Sequence, residues 1–238
     1  MHLLKSQTGR ILIESHRCAE KLAPENSWRG IKLAHELGAD LIEVDVQASA
    51  DGVAFLRHHY TLPDGRACRA VAWRELAELR IGAERLPRVD DVLTWAREVN
   101  ACLSLDLKTA FTPEFRLTTE VVRLIEKTQT QDRVLLIAWD HAEIAHAKQL
   151  CPALKTRALI RGRVMDLPSV IRAARADCVS LSYDLLRPGD VAQMHDLGVA
   201  IALAEMWQAD FAFAQSSGVD IVSWGDPAEA RRALGDGS

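Results

Sequence analysis

Glu43 and Asp45 stand two apart in the run LIEVDV, which begins at Leu41 and has the apolar, β-branched character of a strand. Alternate strand residues share a face, so both carboxylates point one way while Val44 and Val46 point toward whatever packs outside. Two acids on the inner face of a sheet are costly unless partnered, and a hard divalent cation partners them directly. Solvation, or pairing with a lysine, is the alternative. A second run, ACLSLDLK from Ala101, repeats the pattern with Asp106 and Lys108 on one face. Glu43, Asp45 and Asp106 with water would suit Mg2+ or Ca2+, and Mn2+ is admissible, whereas zinc favours nitrogen or sulfur ligands. Asp106 with Lys108 also reads as a plain ion pair.

Two histidines end strand-like runs: His16 closes ILIESH and His58 closes VAFLRH. A lone histidine is more often a surface or satisfied core residue. A pair at strand ends opening on one mouth has the character of an acid and a base flanking a substrate. Arg17, beside His16, can clasp a phosphate oxygen or remain a surface charge. Cys18 offers a thiol nucleophile, which the nearby carboxylates disfavour. His59 follows His58 at once, so continued strand alternation would turn it to the opposite face.

The elements that must hold these groups alternate along the whole chain. Eight strand candidates begin at Ile11, Leu41, Ala101, Val134, Lys155, Cys178, Val199 and Asp220. Helical patterns lie between them, around 27–37, 89–99, 113–127, 141–150, 167–175, 188–197 and 208–216, with a short one after the last strand. Alternating β and α units imply parallel strands with helices outside, hence a (β/α)8 barrel in a single domain over residues 1–238. The stretch from about 58 to 86 is too long for a plain loop. It reads as a short insertion after the second strand, above the mouth. Trp139, Trp207 and Trp224 lie on or just after strands four, seven and eight, where they can wall the substrate's alcohol group or simply pack.

Composition narrows the partners. The 29 basic and 33 acidic residues are interspersed and give a formal charge of −4, so no basic field exists for nucleic acid or an anionic membrane. A small-molecule substrate is expected, with no stable membrane association. Five scattered cysteines without a C-x-x-C pair read as reduced thiols. The strand beginning at Ile11 leaves no room for a signal peptide, so a cytoplasmic location is expected.

The series His16-Arg17, Pro24-Glu25-Asn26-Ser27, Glu43-Val44-Asp45, Asp51-Gly52-Val53 and His58 resembles, in order and spacing, the signature of the glycerophosphodiester phosphodiesterases. The resemblance spans nearly the whole chain and implies the same barrel with the same insertion. It implies that Glu43, Asp45 and Asp106 bind a divalent cation and that His16 and His58 are the acid and base. Arg17, Glu25 and Lys108 would position phosphate or support the metal, and Trp224 would line the substrate site. Asn26 and Ser27 read as caps of the first helix. The chain departs from the pattern at Cys18 for glycine, His59 for aspartate, the loop YTLPDG after it, and Asp106 for glutamate.

The expected reaction is hydrolysis of a glycerophosphodiester to an alcohol and glycerol 3-phosphate. A lysophospholipase D or a lyase stopping at a cyclic phosphate would use the same scaffold. An apolar lip built from Trp73, Leu76 and Leu79 would favour a lipid. A non-catalytic binding barrel is the remaining alternative.

Overall fold

The computed structural model describes residues 1–112, 114–204, 206 and 208–235. Among the described residues eleven strands form: β1 (Leu12–Ser15), β2 (Leu41–Ala48), β3 (Ala54–Leu56), β4 (Arg80–Ile81), β5 (Glu84–Arg85), β6 (Leu103–Leu107), β7 (Val134–Ala138), β8 (Lys155–Ile160), β9 (Cys178–Ser182), β10 (Ala200–Ala204) and β11 (Ile221–Trp224). Eight are parallel neighbours in the order β1-β11-β10-β9-β8-β7-β6-β2, and β1 pairs with β2 to close the barrel. All eight correspond to the strand candidates of the sequence. The fold is a (β/α)8 barrel.

Alternation divides each strand between two cores. Val44, Val46, Leu103, Leu105 and Leu107 face the helices in the main core, while Leu12, Leu41, Ile137 and Ile221 fill the barrel's interior with Leu3. Leu3 precedes a short helix, Lys5–Thr8, that the sequence patterns did not reveal. One turn of helix carries too little periodicity to be seen.

Several of the helices start on side-chain caps, at Ser27, Asp140, Asp166, Asp210 and Asp226, each accepting an N–H of the first turn. These caps fix where each helix leaves its strand. Five cysteines are free, and no described helix is long and apolar enough to cross a membrane.

After β2 the chain doubles back in β3, antiparallel to β2. The insertion then adds a helix at Trp73–Leu76 and the β4–β5 hairpin. Phe55, Leu62, Cys68, Val71, Leu76 and Leu86 form its own small core, with Trp73 and Leu79 packed against it. The three residues considered for an apolar lip are spent on this packing, which removes the sequence argument for a lipid.

Candidate active site

β1 ends at Ser15, and the chain turns through three successive left-handed residues, Arg17, Cys18 and Ala19, with φ of 42°, 53° and 60°. Each non-glycine residue there costs roughly 1–2 kcal/mol, so the turn needs anchors. Ser15 Oγ accepts the Ala19 N–H at 2.8 Å and Glu43 accepts the Arg17 N–H at 2.6 Å through its carboxylate. The Glu43 carbonyl takes the Cys18 N–H at 2.9 Å. Gly30 packs against the same turn, where a Cβ would stand 2.4 Å from the Cys18 carbonyl oxygen. Only glycine lets helix Trp28–Glu36 approach this closely.

Glu43 and Asp45 of β2 pair in register with Ser104 and Asp106 of β6, which places the three acids side by side. Each offers an oxygen within 4.8 Å of the others, and all three are buried. Burial and the Asp45 charge hold the Glu43 carboxyl well above the usual carboxylate range. Burial also pushes Asp45 upward, but Lys108 and the Asn26 amide outweigh it and keep Asp45 ionised. Burial raises Asp106 despite its pairing with Lys108.

Lys108 Nζ lies 2.7 Å from Asp45 and also binds Asp106. Its charge is therefore committed to the two acids. Asp106 Oδ1 is buried without a hydrogen-bond partner among the described residues. An all-oxygen set with an unused buried carboxylate oxygen fits a hard divalent cation.

Below the acids, Arg157 of β8 and Glu14 of β1 form a fully buried pair at 2.9 Å, and Ser104 Oγ donates to Glu14 at 2.5 Å. Arg157 lowers the Asp106 carboxyl from beneath, a contribution smaller than those of burial and Lys108. Alternation puts Arg157 on the inner face with no marker in KTRALI to distinguish it. Its partner lies 143 positions away in sequence.

The two histidines sit in opposite environments. His16 Nδ1 contacts Glu20 at 2.5 Å. Burial opposes its charged form, but the Glu20 hydrogen bond and the charges of Glu43 and Glu20 prevail and raise its pKa to about 9. Burial lowers His58, reinforced by Arg17 and Lys108 against the Asp45 charge. Arg17 Nη2 donates to His58 Nε2 at 2.9 Å. Because guanidinium is only a donor, Nε2 is an acceptor and a neutral ring carries its proton on Nδ1. Arg17 Nη1 meanwhile holds Glu25 at 3.0 Å.

A model of the glycerophosphoryl diester phosphodiesterase family matches residues 16–231. The chain belongs to this family. Its members are phosphoric diester hydrolases. A glycerophosphodiester phosphodiesterase of Caldanaerobacter subterraneus is 25% identical over 158 residues, 61% of this chain and 65% of the relative. Among solved structures, a glycerophosphoryl diester phosphodiesterase assigned in Silicibacter pomeroyi superposes with a TM-score of 0.88 at 20% identity, covering 95% of this chain and 94% of its own. An Oleispira antarctica phosphodiesterase in complex with the product sn-glycerol-3-phosphate gives 0.88 at 18%, covering 97% and 99%. These structural likenesses establish the fold.

Within the phosphodiesterase family frame, the structure gathers His16, Arg17, Glu25, Glu43, Asp45, His58, Asp106 and Lys108 at one end of the barrel. It revises several local expectations. Ser27 is the helix cap, but Asn26 is not: its side chain donates to Asp45 Oδ2 at 2.7 Å and accepts the Asp45 N–H at 2.8 Å. Its left-handed φ of 56° turns it back toward the acids. Strand alternation stops at Leu56, so His59 is not sent to the opposite face, and its ring meets His58 edge-on at 4.9 Å. Glu25, His58 and His59 also bring potential ligand atoms together, although Arg17 already binds two of the three. Cys18 is buried and burial pushes its thiol pKa up, the reverse of a nucleophile's requirement.

Trp224 lines a cleft with His16 and Arg17. It is 7% exposed, its indole donates to Glu229, and Lys21 covers its ring at 3.3 Å. It serves as a wall behind Lys21. Trp139 is 47% exposed and lines a different cleft, and Trp207 lies outside the described residues. The sequence reading missed Glu20. It lies four residues after His16 but within a non-helical turn, where no periodicity rule brings the two together.

Proposed function

We propose that this barrel hydrolyses glycerophosphodiesters to an alcohol and glycerol 3-phosphate, with Glu43, Asp45 and Asp106 holding a divalent cation of the Mg2+ or Ca2+ type. His16 is the general acid and His58 the general base. The observation that carries the reading is the meeting of three buried carboxylates, Glu43, Asp45 and Asp106, with a histidine held by an acid on one side, His16 on Glu20, and a histidine held by a cation on the other, His58 under Arg17. Acid and base must differ in protonation at one pH, and separating two like groups by their surroundings achieves that.

A bound hard cation supplies charge that neutralises a phosphodiester oxygen. Lys108 pairs with Asp45 and Asp106 and holds both carboxylates in place. Asn26 fixes the Asp45 carboxylate through two hydrogen bonds. Arg17 turns from His58 to a phosphate oxygen, which uncovers the Nε2 lone pair for the attacking hydroxyl's proton. His16 gives the Nε2 proton to the departing alcohol oxygen while Nδ1 stays on Glu20. The attacking hydroxyl belongs to water, or to the glycerol itself with a cyclic phosphate opened afterwards.

The test is a screen of purified protein against glycerophosphodiesters, lysophospholipids and a chromogenic phosphodiester, each with Mg2+, Ca2+, Mn2+ or chelator. Release of glycerol 3-phosphate from glycerophosphodiesters supports the reading. Turnover of lysophospholipids alone would replace it with the lipid alternative.

A further inference from the structure

Beside the three acids lies a second group of potential metal ligands with a different chemistry. Glu25, His58 and His59 each bring one ligand atom within 4.8 Å of the other two. Two imidazoles and one carboxylate suit Zn2+, whereas Mg2+ and Ca2+ favour all-oxygen sets such as Glu43, Asp45 and Asp106. The two groups therefore sort cations by hardness. His59 stands where the family pattern has aspartate, so the second imidazole is a feature of this chain.

The backbone that carries these ligands is fixed from several sides. Arg57 donates its N–H to the Asp45 carbonyl at 2.9 Å, the Gln47 amide donates to the His58 carbonyl at 3.3 Å, and the Cys68 thiol donates to the His59 carbonyl at 3.5 Å. Glu25 is anchored by its neighbour Asn26, which makes two hydrogen bonds to Asp45. The His58 and His59 rings meet at 4.9 Å. His59 is exposed, which opens the group to an ion from solution.

His58 supplies a separate observation. Its Nδ1 is buried without a hydrogen-bond partner among the described residues, a condition that calls for a physical account. A neutral imidazole has one lone pair, and the Arg17 N–H occupies it at Nε2. Coordination through Nε2 displaces Arg17 directly. Coordination through Nδ1 moves the ring proton to Nε2, where it opposes the Arg17 N–H. Either way a metal on His58 excludes Arg17, which also holds Glu25 at 3.0 Å.

We propose that Glu25, His58 and His59 form an inhibitory zinc site, in which the ion competes with Arg17 and takes the lone pair that His58 needs as a base. The inhibition rests on the phosphodiesterase reading of His58, whereas the binding does not.

Zinc is titrated calorimetrically into the Mg2+-loaded protein, and the same series is read as inhibition of glycerophosphodiester turnover. One saturable site is expected, with inhibition at the same midpoint. His59→Ala should weaken both by about tenfold or more, since loss of even an outer partner of a metal site has that effect, while turnover without zinc is retained. Glu43→Gln should keep the zinc affinity within a few-fold, which separates this site from zinc displacing Mg2+ at the acids. Arg17→Met removes the competitor and its charge, so it should bind zinc more tightly than the wild type.

Absence of saturable binding, an affinity indifferent to His59→Ala, or an affinity lost in Glu43→Gln overturns the site. An Arg17→Met affinity no tighter than the wild type overturns the competition. Zinc bound through His59 with turnover undiminished overturns the inhibition. If no diester is turned over at all, the phosphodiesterase reading fails instead, and the calorimetry still decides the site.

Discussion

Arg17 Nη2 donates to His58 Nε2 at 2.9 Å, so the guanidinium expected to grip phosphate covers the lone pair expected to act as base. In the proposed mechanism this arrangement would couple substrate arrival to base release. It also lowers the His58 pKa, in the same direction as the larger effect of burial. Removing Arg17 therefore raises that pKa. A base must be neutral to act, so Arg17→Met should move the acidic limb of the kcat/KM profile to higher pH as well as lower its plateau. An unmoved limb would dissociate Arg17 from His58.

Glu20 has the complementary effect on His16. Its hydrogen bond is the largest of the influences raising the imidazolium pKa to about 9, with burial acting against it. A raised histidine pKa contributes stability that is complete below the unfolded value of about 6.5 and is lost as pH rises through about 9. Glu20→Gln should lower the His16 pKa and bring the alkaline limb of activity toward neutrality. A pH titration of kcat/KM, with stability measured at pH 6 and 9.5, checks both consequences.

His16→Ala and His58→Ala should each reduce turnover by about a hundred- to ten-thousandfold while leaving the fold intact. The two separate by leaving group. With p-nitrophenol, which departs without a proton, the His16 loss should be largely masked and the His58 loss should not. His59→Ala should retain most activity. Because His59 contacts His58 directly, a loss of a few-fold is compatible with the assignment, and a loss matching His58→Ala would displace it.

The buried Glu14–Arg157 pair makes a stability prediction. Removing one partner leaves an uncompensated buried charge, which costs about 3–5 kcal/mol. Arg157→Met and Glu14→Gln should each lower the denaturation midpoint substantially, and the double variant should cost less than the sum of the two. Chemical denaturation of all three provides the comparison.

Much of this was legible in the sequence because a barrel repeats its grammar. Inward acids at Glu43, Asp45 and Asp106 follow from period-two alternation once eight parallel strands are recognised. Alternation lost authority where the strands ended. His59 follows the end of β3, Asn26 turns back with positive φ, and Glu20 reaches His16 through a left-handed turn held by side chains from two strands. Arg157 and Glu14 lie on well-predicted strands, but their pairing depends on a register across the barrel. Trp224 lines a cleft with His16 and Arg17, and Lys21 covering its ring required three dimensions.

Cation dependence of glycerol 3-phosphate release from a glycerophosphodiester tests the central claim most directly. Release should vanish in excess chelator and return on titration with Mg2+, Ca2+ or Mn2+, because Glu43, Asp45 and Asp106 supply only oxygen. Restored activity should be absent from Glu43→Gln and Asp45→Asn. Undiminished release in excess chelator would contradict the account.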